Sequence, residues 1–139
     1  MNNEQFKLVQ KSLILVRPIA DQVAESFYAH LFEVNPHLRK LFKGNMKRQG
    51  AMLMTSLELA VSGLDNMERI LPSVRALGER HVTYGVKPAY YPLATDSFLW
   101  ALEHHLGNRF TPALKEAWRE AFNALVKVMS SAARDSASK

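Results

Sequence analysis

The segment Leu77-Gly78-Glu79-Arg80-His81-Val82-Thr83-Tyr84-Gly85-Val86 contains the residue on which the interpretation of this chain depends. His81 follows Leu77 by four residues and Val74 by seven, so in a helix the three side chains share one apolar face. A histidine on such a face is either a core residue bonded to a backbone carbonyl or a ligand to a metal. The spacing alone favours the core histidine, and the choice depends on the rest of the chain.

Helical periodicity extends outward from this segment over most of the chain, whereas no sustained period-two run indicates a strand. Asn3 is predicted to cap the first helix, while Asn35-Pro36 and Thr111-Pro112 are predicted to begin a short helix and the last one. These signals predict an all-α fold of about seven or eight helices around one core. We expect one domain over residues 1–139, with a short flexible tail from about residue 131.

The composition and the motifs exclude several classes of site. The chain has no cysteine, which excludes disulfides, thiolate zinc sites, iron–sulfur clusters and cysteine nucleophiles. No phosphate-binding loop, Gly-x-Ser-x-Gly or His-Glu-x-x-His motif supports phosphoryl transfer, esterase or zinc protease chemistry. Neither a secretory signal nor a membrane-spanning apolar stretch is visible, so we expect a cytoplasmic protein with no membrane partner.

The formal net charge of +5 indicates a mild attraction to anions. The densest group of cations lies between Arg39 and Arg48, and it contains no recognised nucleic-acid motif. We interpret this group as a solvated basic surface and expect no nucleic-acid partner.

Several segments, in order along the chain, resemble the globin family. Residues 27–36 (Phe-Tyr-Ala-His-Leu-Phe-Glu-Val-Asn-Pro), followed by Leu41-Phe42, are similar to the globin B and C helices and the phenylalanine after them. Residues 77–86 are similar to the F helix with its proximal histidine, and Tyr91-Pro92 and the last helix with Trp118 also match. The resemblance covers nearly the whole chain, and it extends to bacterial single-domain globins, the globin domain of flavohaemoglobins and animal neuroglobin.

The resemblance implies a globin fold around a haem b group, with His81 as the proximal iron ligand. A neutral imidazole is a good iron ligand, and its second nitrogen should make a hydrogen bond that fixes the ring. Phe42 would pack flat on the porphyrin, and Arg80 is the candidate partner for a propionate. The remaining implied haem contacts are Leu53, Val86, Tyr91, Ala94, Phe98 and Phe122. Four of these, Val86, Ala94, Phe98 and Phe122, have the alternative of being ordinary core residues.

On the distal side, Tyr28 takes the position at which many bacterial globins carry a tyrosine. Gln49 takes the position of the distal histidine of vertebrate oxygen carriers, and Leu53, one turn later, would press on the ligand site. The alternatives are a tyrosine at the core edge and a solvent-facing glutamine. A shift in register after residue 43 would bring Arg48 or Lys47 to the distal position instead.

A phenol and an amide both donate hydrogen bonds to bound dioxygen, which is partly negative, so this pair implies tight oxygen binding and slow release. Carbon monoxide is less polar when bound and should gain less. Because glutamine is a poor iron ligand, we expect no stable state with two histidine ligands. The implied function is oxygen binding, storage or transport by a monomer or weak homodimer that also binds carbon monoxide and nitric oxide.

Nitric oxide dioxygenation is the enzymatic alternative, and it would need an external reductase because we expect no reductase domain in this chain. In flavohaemoglobins a glutamate of the last helix supports the proximal histidine, together with a tyrosine that matches Tyr91. That glutamate position is Ala133 here, which implies a weak electron push from His81. Haem-based gas sensing is a third possibility, and a helical binding module without haem is the remaining one.

Overall fold

The computed structural model describes residues 1–137, with side chains through residue 135, and this range is all-helical. The α-helices are α1 (Asn3–Val16), α2 (Ala20–Val34), α3 (Met46–Ser62), α4 (Met67–Thr83), α5 (Tyr90–Leu106) and α6 (Pro112–Ala137). Short 3₁₀ turns lie at Arg17–Ile19, Pro36–Leu41, Leu64–Asn66 and Gly107–Arg109. The predicted all-α fold is confirmed, although the short helix after Asn35 is a 3₁₀ segment, which lowers the α-helix count. None of the described helices is long and apolar enough to cross a membrane.

The first and last helices have ends that differ from the prediction. Asn2, rather than Asn3, caps α1: its Oδ1 accepts from the Gln5 N–H over 2.8 Å, and Gln5 Oε1 accepts from the Asn2 N–H over 3.1 Å. This reciprocal pair needs two polar side chains three residues apart, and the partner of Asn3 at that spacing would be an apolar phenylalanine. At the other end, α6 continues to Ala137 and Ala132 is fully buried, so residues 131–137 extend the helix where a tail is predicted.

Trp118, in the middle of α6, anchors the core. Its side chain is fully buried, and the indole N–H donates to Ser12 Oγ of α1 over 2.9 Å. Because this donor is satisfied, the large aromatic side chain adds buried apolar area without the cost of an unpaired polar group. Around it, α6 packs on α1, α4 and α5, and α2 packs on α3 and α5.

Two glycines allow the helices around the site to approach closely. A Cβ atom built on Gly78 of α4 would lie 2.6 Å from the carbonyl oxygen of Met129 in α6. A Cβ atom built on Gly50 of α3 would lie 3.1 Å from the Ala24 Cβ of α2. The missing side chains therefore let α4 pack against α6 and α3 pack against α2.

Candidate functional site

The candidate site lies between α3 and α4, the helices that carry the residues predicted on the two sides of a haem. These helices make few contacts with each other, because α3 packs on α2 and α4 packs on α6. A cleft of about 70 Å³ opens between them, and its lining contains apolar side chains of both helices together with Ser56, Ser73 and Arg80, but neither Gln49 nor His81. The fold therefore holds the helix of Gln49 apart from the helix of His81.

His81 lies near the C-terminal end of α4 and is partly buried. Burial lowers the pKa of its imidazole, and the positive charge of the neighbouring Arg80 lowers the pKa further. The ring is therefore neutral at pH 7, which is the form that binds iron. Tyr91 of α5 lies edge-on to this ring with the centroids 5.9 Å apart, so the predicted neighbours are brought together.

The His81 ring makes no hydrogen bond to any described residue, and its Nδ1 atom is fully buried. The predicted hydrogen bond that would fix the ring is therefore absent from this structure, which corrects that expectation. Ala133 of α6 carries no polar group that could accept it. A buried polar atom without a hydrogen-bond partner is rare in folded proteins, so this atom marks His81 as a candidate for a functional role.

Tyr28 and Gln49, the predicted distal pair, are in contact. Tyr28 is buried in α2, and burial raises the pKa of its phenol to about 12. The side chain of Gln49, which can hydrogen-bond to the phenol, opposes this rise in the pKa. The phenol keeps its proton at neutral pH, so its O–H can donate a hydrogen bond. The partner of Tyr28 is therefore Gln49, whereas Lys47 and Arg48 are exposed.

Phe42 lies just after the 3₁₀ segment Pro36–Leu41 and completes an aromatic cluster with Tyr28 and Phe32. The ring centroid of Phe42 is 5.2 Å from that of Tyr28 and 5.4 Å from that of Phe32. The Arg39 guanidinium donates to the Phe42 carbonyl over 2.6 Å and lies over the Phe32 ring at 5.4 Å. Arg39, which the sequence does not single out, thus fixes the backbone that presents Phe42.

Most of the other predicted contacts are apolar side chains that the protein leaves only partly buried. These side chains are Leu53, Val86, Ala94 and Phe122. Phe98 differs, because it is 2% exposed and packs on Phe27, Trp118 and Phe122. It is a core residue behind Phe122, the alternative that the sequence left open. A large apolar group in the site would cover the partly buried set and gain the free energy of burial.

The sequence did not identify Leu77 or the two close-packed glycines as parts of the site. Leu77 lines the cleft one turn before His81, and its place on the same helical face was the available signal. Gly50 and Gly78 lie inside helices, where glycine costs about 0.5–1 kcal/mol relative to alanine. A glycine retained at that cost indicates a close approach, but not which helix approaches.

The donor set suits a haem better than a metal bound by protein side chains alone. Within residues 1–137, no three histidine, aspartate or glutamate side chains are placed to share a metal ion. A porphyrin supplies its own nitrogen ligands to iron, so one neutral histidine and an apolar lining are sufficient. His81 would hold the iron, and the partly buried apolar side chains would cover the ring.

Comparison with known proteins agrees with this arrangement. A family model described as Globin matches residues 25–129. A flavohemoprotein of Halalkalibacterium halodurans is 28% identical over 131 residues, which cover 92% of this chain and 32% of that protein. An uncharacterized globin-like protein of Aquifex aeolicus is 26% identical over 129 residues, which cover 93% of this chain and 91% of that protein. The chain thus spans about a third of the length of the flavohemoproteins that it matches.

Solved structures show the same similarity. An engineered carbene transferase, made from a proposed nitric oxide dioxygenase of Rhodothermus marinus, superposes with a TM-score of 0.90 at 25% identity, covering 99% of this chain and 96% of that chain. A bacterial globin of Campylobacter jejuni superposes with a TM-score of 0.88 at 22% identity, covering 99% of this chain and all of that one, and shows the shared fold. Because the family model matches well over half of the residues, this chain belongs to the globin family, whose membership implies haem binding.

Proposed function

We propose that this chain binds haem b through His81 and holds dioxygen reversibly, with high affinity and slow release. The observation that carries the proposal is the buried Tyr28 phenol, which keeps its proton at neutral pH and has the Gln49 side chain beside it. Tyr28 belongs to α2 and Gln49 to α3, whereas the neutral His81 belongs to α4. Membership of the globin family supports the cofactor.

Each residue has a separate task in this proposal. Bound haem supplies an iron centre that takes up a diatomic gas such as dioxygen, carbon monoxide or nitric oxide. His81 would hold the iron in the neutral form that burial favours. Gln49 would orient the Tyr28 phenol, whose O–H would donate to the gas. Phe42 and its aromatic neighbours would keep water out of the distal space.

The hydrogen bond from Tyr28 should decide how long dioxygen stays. A hydrogen bond to a charged or strongly polar partner contributes about 1.5–3 kcal/mol. Its loss should therefore speed dioxygen release by about tenfold to a hundredfold. Carbon monoxide is less polar than dioxygen when bound, so the rate of its release should change less.

The test combines haem binding with stopped-flow measurement of dioxygen release. Titration with haem should give a Soret band in the wild-type protein and a weaker, altered one in His81→Ala. Tyr28→Phe and Gln49→Leu should each release dioxygen faster than the wild type. Tyr84→Phe is the matched control, because Tyr84 is 60% exposed and loses the same hydroxyl group away from the pair. If Tyr28→Phe and Tyr84→Phe release dioxygen at the same rate, the distal assignment is wrong.

Nitric oxide dioxygenation is the second candidate function, favoured by the similarity to flavohemoproteins and to the Rhodothermus marinus protein. One nitric oxide, one dioxygen and one electron balance to one nitrate ion, so each turnover oxidises the haem iron and requires one returned electron. Nitric oxide consumption that continues at the rate of ferric haem reduction would support this activity. Consumption that stops after one equivalent in the presence of a reductase would favour oxygen storage.

A further inference from the structure

The positive charge of this chain is concentrated in two segments, residues 34–57 and 80–95. Together they contain seven of the 18 lysine and arginine residues and none of the 13 acidic residues. The rest of the chain, with eleven cations and thirteen acids, has a net charge of −2. We call the seven cations the basic rim, and they are Arg39, Lys40, Lys43, Lys47, Arg48, Arg80 and Lys87.

Tertiary structure joins the two segments at two contacts. The rings of His37 and Tyr90 lie edge to face, with their centroids 5.9 Å apart. A Cβ atom built on Gly85 would lie 3.5 Å from the Leu41 side chain. Residues far apart in sequence are thus brought together, so the cations of the two segments can act on a partner from neighbouring parts of the surface.

This surface borders the candidate haem site. The first segment contains Phe42, Gln49 and Leu53, and the second contains His81 and Tyr91. The residues that would enclose a haem and the cations of the basic rim therefore belong to the same short stretches of chain. A partner bound to the rim would lie next to the cofactor.

The charges of the basic rim are not neutralised by carboxylates of the described residues. All seven cations are exposed, and within the described part of the chain none forms an ion pair with a carboxylate. Cations outside the rim do form such pairs, among them Arg17, Arg75, Lys115 and Arg119.

Exposed apolar side chains lie among these cations. Val34 is 59% exposed, and Tyr84, in the second segment, is 60% exposed. Protein interfaces combine an apolar or aromatic centre with a polar rim, whereas non-specific binding to polyanions uses charge alone. The mixture therefore favours a protein partner.

We propose that the basic rim is the docking surface for an acidic flavoprotein that reduces the haem of this globin. The reduced flavin gives up one electron, the ferric iron gains it and becomes ferrous, and no bond to the globin forms or breaks. The inference rests on the proposed haem site and adds the identity of its electron donor by chemical class. Opposite charges would raise the rate of encounter at low salt and lose this effect as salt screens them.

The test uses the haem-loaded protein with reduced flavodoxin, an acidic one-electron flavoprotein, as the probe. Lys43→Glu/Lys47→Glu reverses two rim charges four residues apart. Lys7→Glu/Lys11→Glu is the matched control, because it reverses two exposed charges at the same spacing on α1. Binding is measured by titration calorimetry with oxidised flavodoxin, and haem reduction is followed by stopped-flow absorbance.

We expect the rim variant to be reduced about tenfold more slowly than the wild type at low salt, within the range of electrostatic steering. Its binding should weaken in parallel, while the α1 variant should stay within about twofold of the wild type in both measurements. Reduction by dithionite should be equal in all three proteins, since this small reductant needs no docking surface.

Equal binding and reduction rates in the two variants would overturn the proposal. Tighter binding of the rim to duplex DNA or phosphatidylserine vesicles than to flavodoxin would overturn it as well, by assigning the surface to another class of partner. Absence of a Soret band on haem addition would instead refute the proposed haem site. The two failures are therefore distinguishable.

Discussion

Replacement of Gly78 by alanine tests how closely the helix of His81 packs against α6. A Cβ atom at Gly78 would lie 2.6 Å from the Met129 carbonyl oxygen, 2.7 Å from its Cα and 2.9 Å from its Cβ. These atoms belong to the backbone or are attached directly to it, so no flexible side chain can move aside. Ordinary contacts begin at 3.4 Å, and the difference from 2.6 Å requires α4 to shift by about 0.8 Å.

The shift sets the expected size of the effect. Overpacking of a close-packed region costs about 1–3 kcal/mol. Replacement of a glycine inside a helix by alanine returns about 0.5–1 kcal/mol. We therefore expect the free energy of unfolding of Gly78→Ala to fall by about 1 kcal/mol, and by no more than about 2.5 kcal/mol. The same shift exceeds the roughly 0.5 Å tolerance of a preorganised site, and His81 lies one turn away, so haem affinity should fall as well.

Urea denaturation of the haem-free protein and haem titration measure the two effects separately. Gly44→Ala is the matched control, because a Cβ atom there would meet nothing within 4 Å. The control should leave stability unchanged or raise it by about 0.5 kcal/mol, since alanine restricts the unfolded chain. If Gly78→Ala matches Gly44→Ala in both stability and haem affinity, the close approach of α4 to α6 does not position His81.

Two further predictions concern the distal pair. Burial raises the pKa of Tyr28 to about 12 in the folded protein, whereas its unperturbed value is 10. Between pH 10 and 12 the folded protein keeps a proton that the unfolded chain loses, so its free energy of unfolding should fall as the pH rises through this range. Ultraviolet titration should show a tyrosinate step near pH 12 that disappears in Tyr28→Phe, and its persistence would contradict the assignment. In Gly50→Ala the new Cβ would lie 3.1 Å from the Ala24 Cβ, which pushes α3 from α2 by a few tenths of an ångström and should separate Gln49 from Tyr28. We expect the rate of dioxygen release to rise by about twofold to fivefold, because the hydrogen bonding would weaken by about 0.5–1 kcal/mol. An unchanged rate would show that the packing of α3 on α2 does not control the position of Gln49 relative to Tyr28.

Predictions that depend on interactions between residues close together in the sequence agree with the structure better than predictions that depend on distant contacts. The all-α fold depends on local periodicity, which the sequence displays directly, and the order of the matching segments was enough to predict the family. The structure differs from the predictions at the ends of helices, where the outcome depends on a single capping residue or on contacts with other helices. The cap moved from Asn3 to Asn2 because only the latter has a glutamine at the right spacing. Helix α6 continues past residue 131, and Ala132 within that stretch is fully buried. Phe98 packs on Phe27, Trp118 and Phe122, contacts that the sequence pattern alone does not display.

The sequence by itself determined that His81 shares a helical face with apolar residues and that cations are dense between Arg39 and Arg48. Those properties depend on spacing along one segment, and helical geometry converts spacing into position. Only the tertiary structure decided that the His81 Nδ1 atom has no hydrogen-bond partner among the described residues, that the Gln49 side chain lies beside the Tyr28 phenol, and that two distant basic segments are neighbours. Such contacts depend on how closely separate helices approach. A glycine opposite a neighbouring backbone permits the close approach, but the local sequence pattern does not show which backbone lies opposite it.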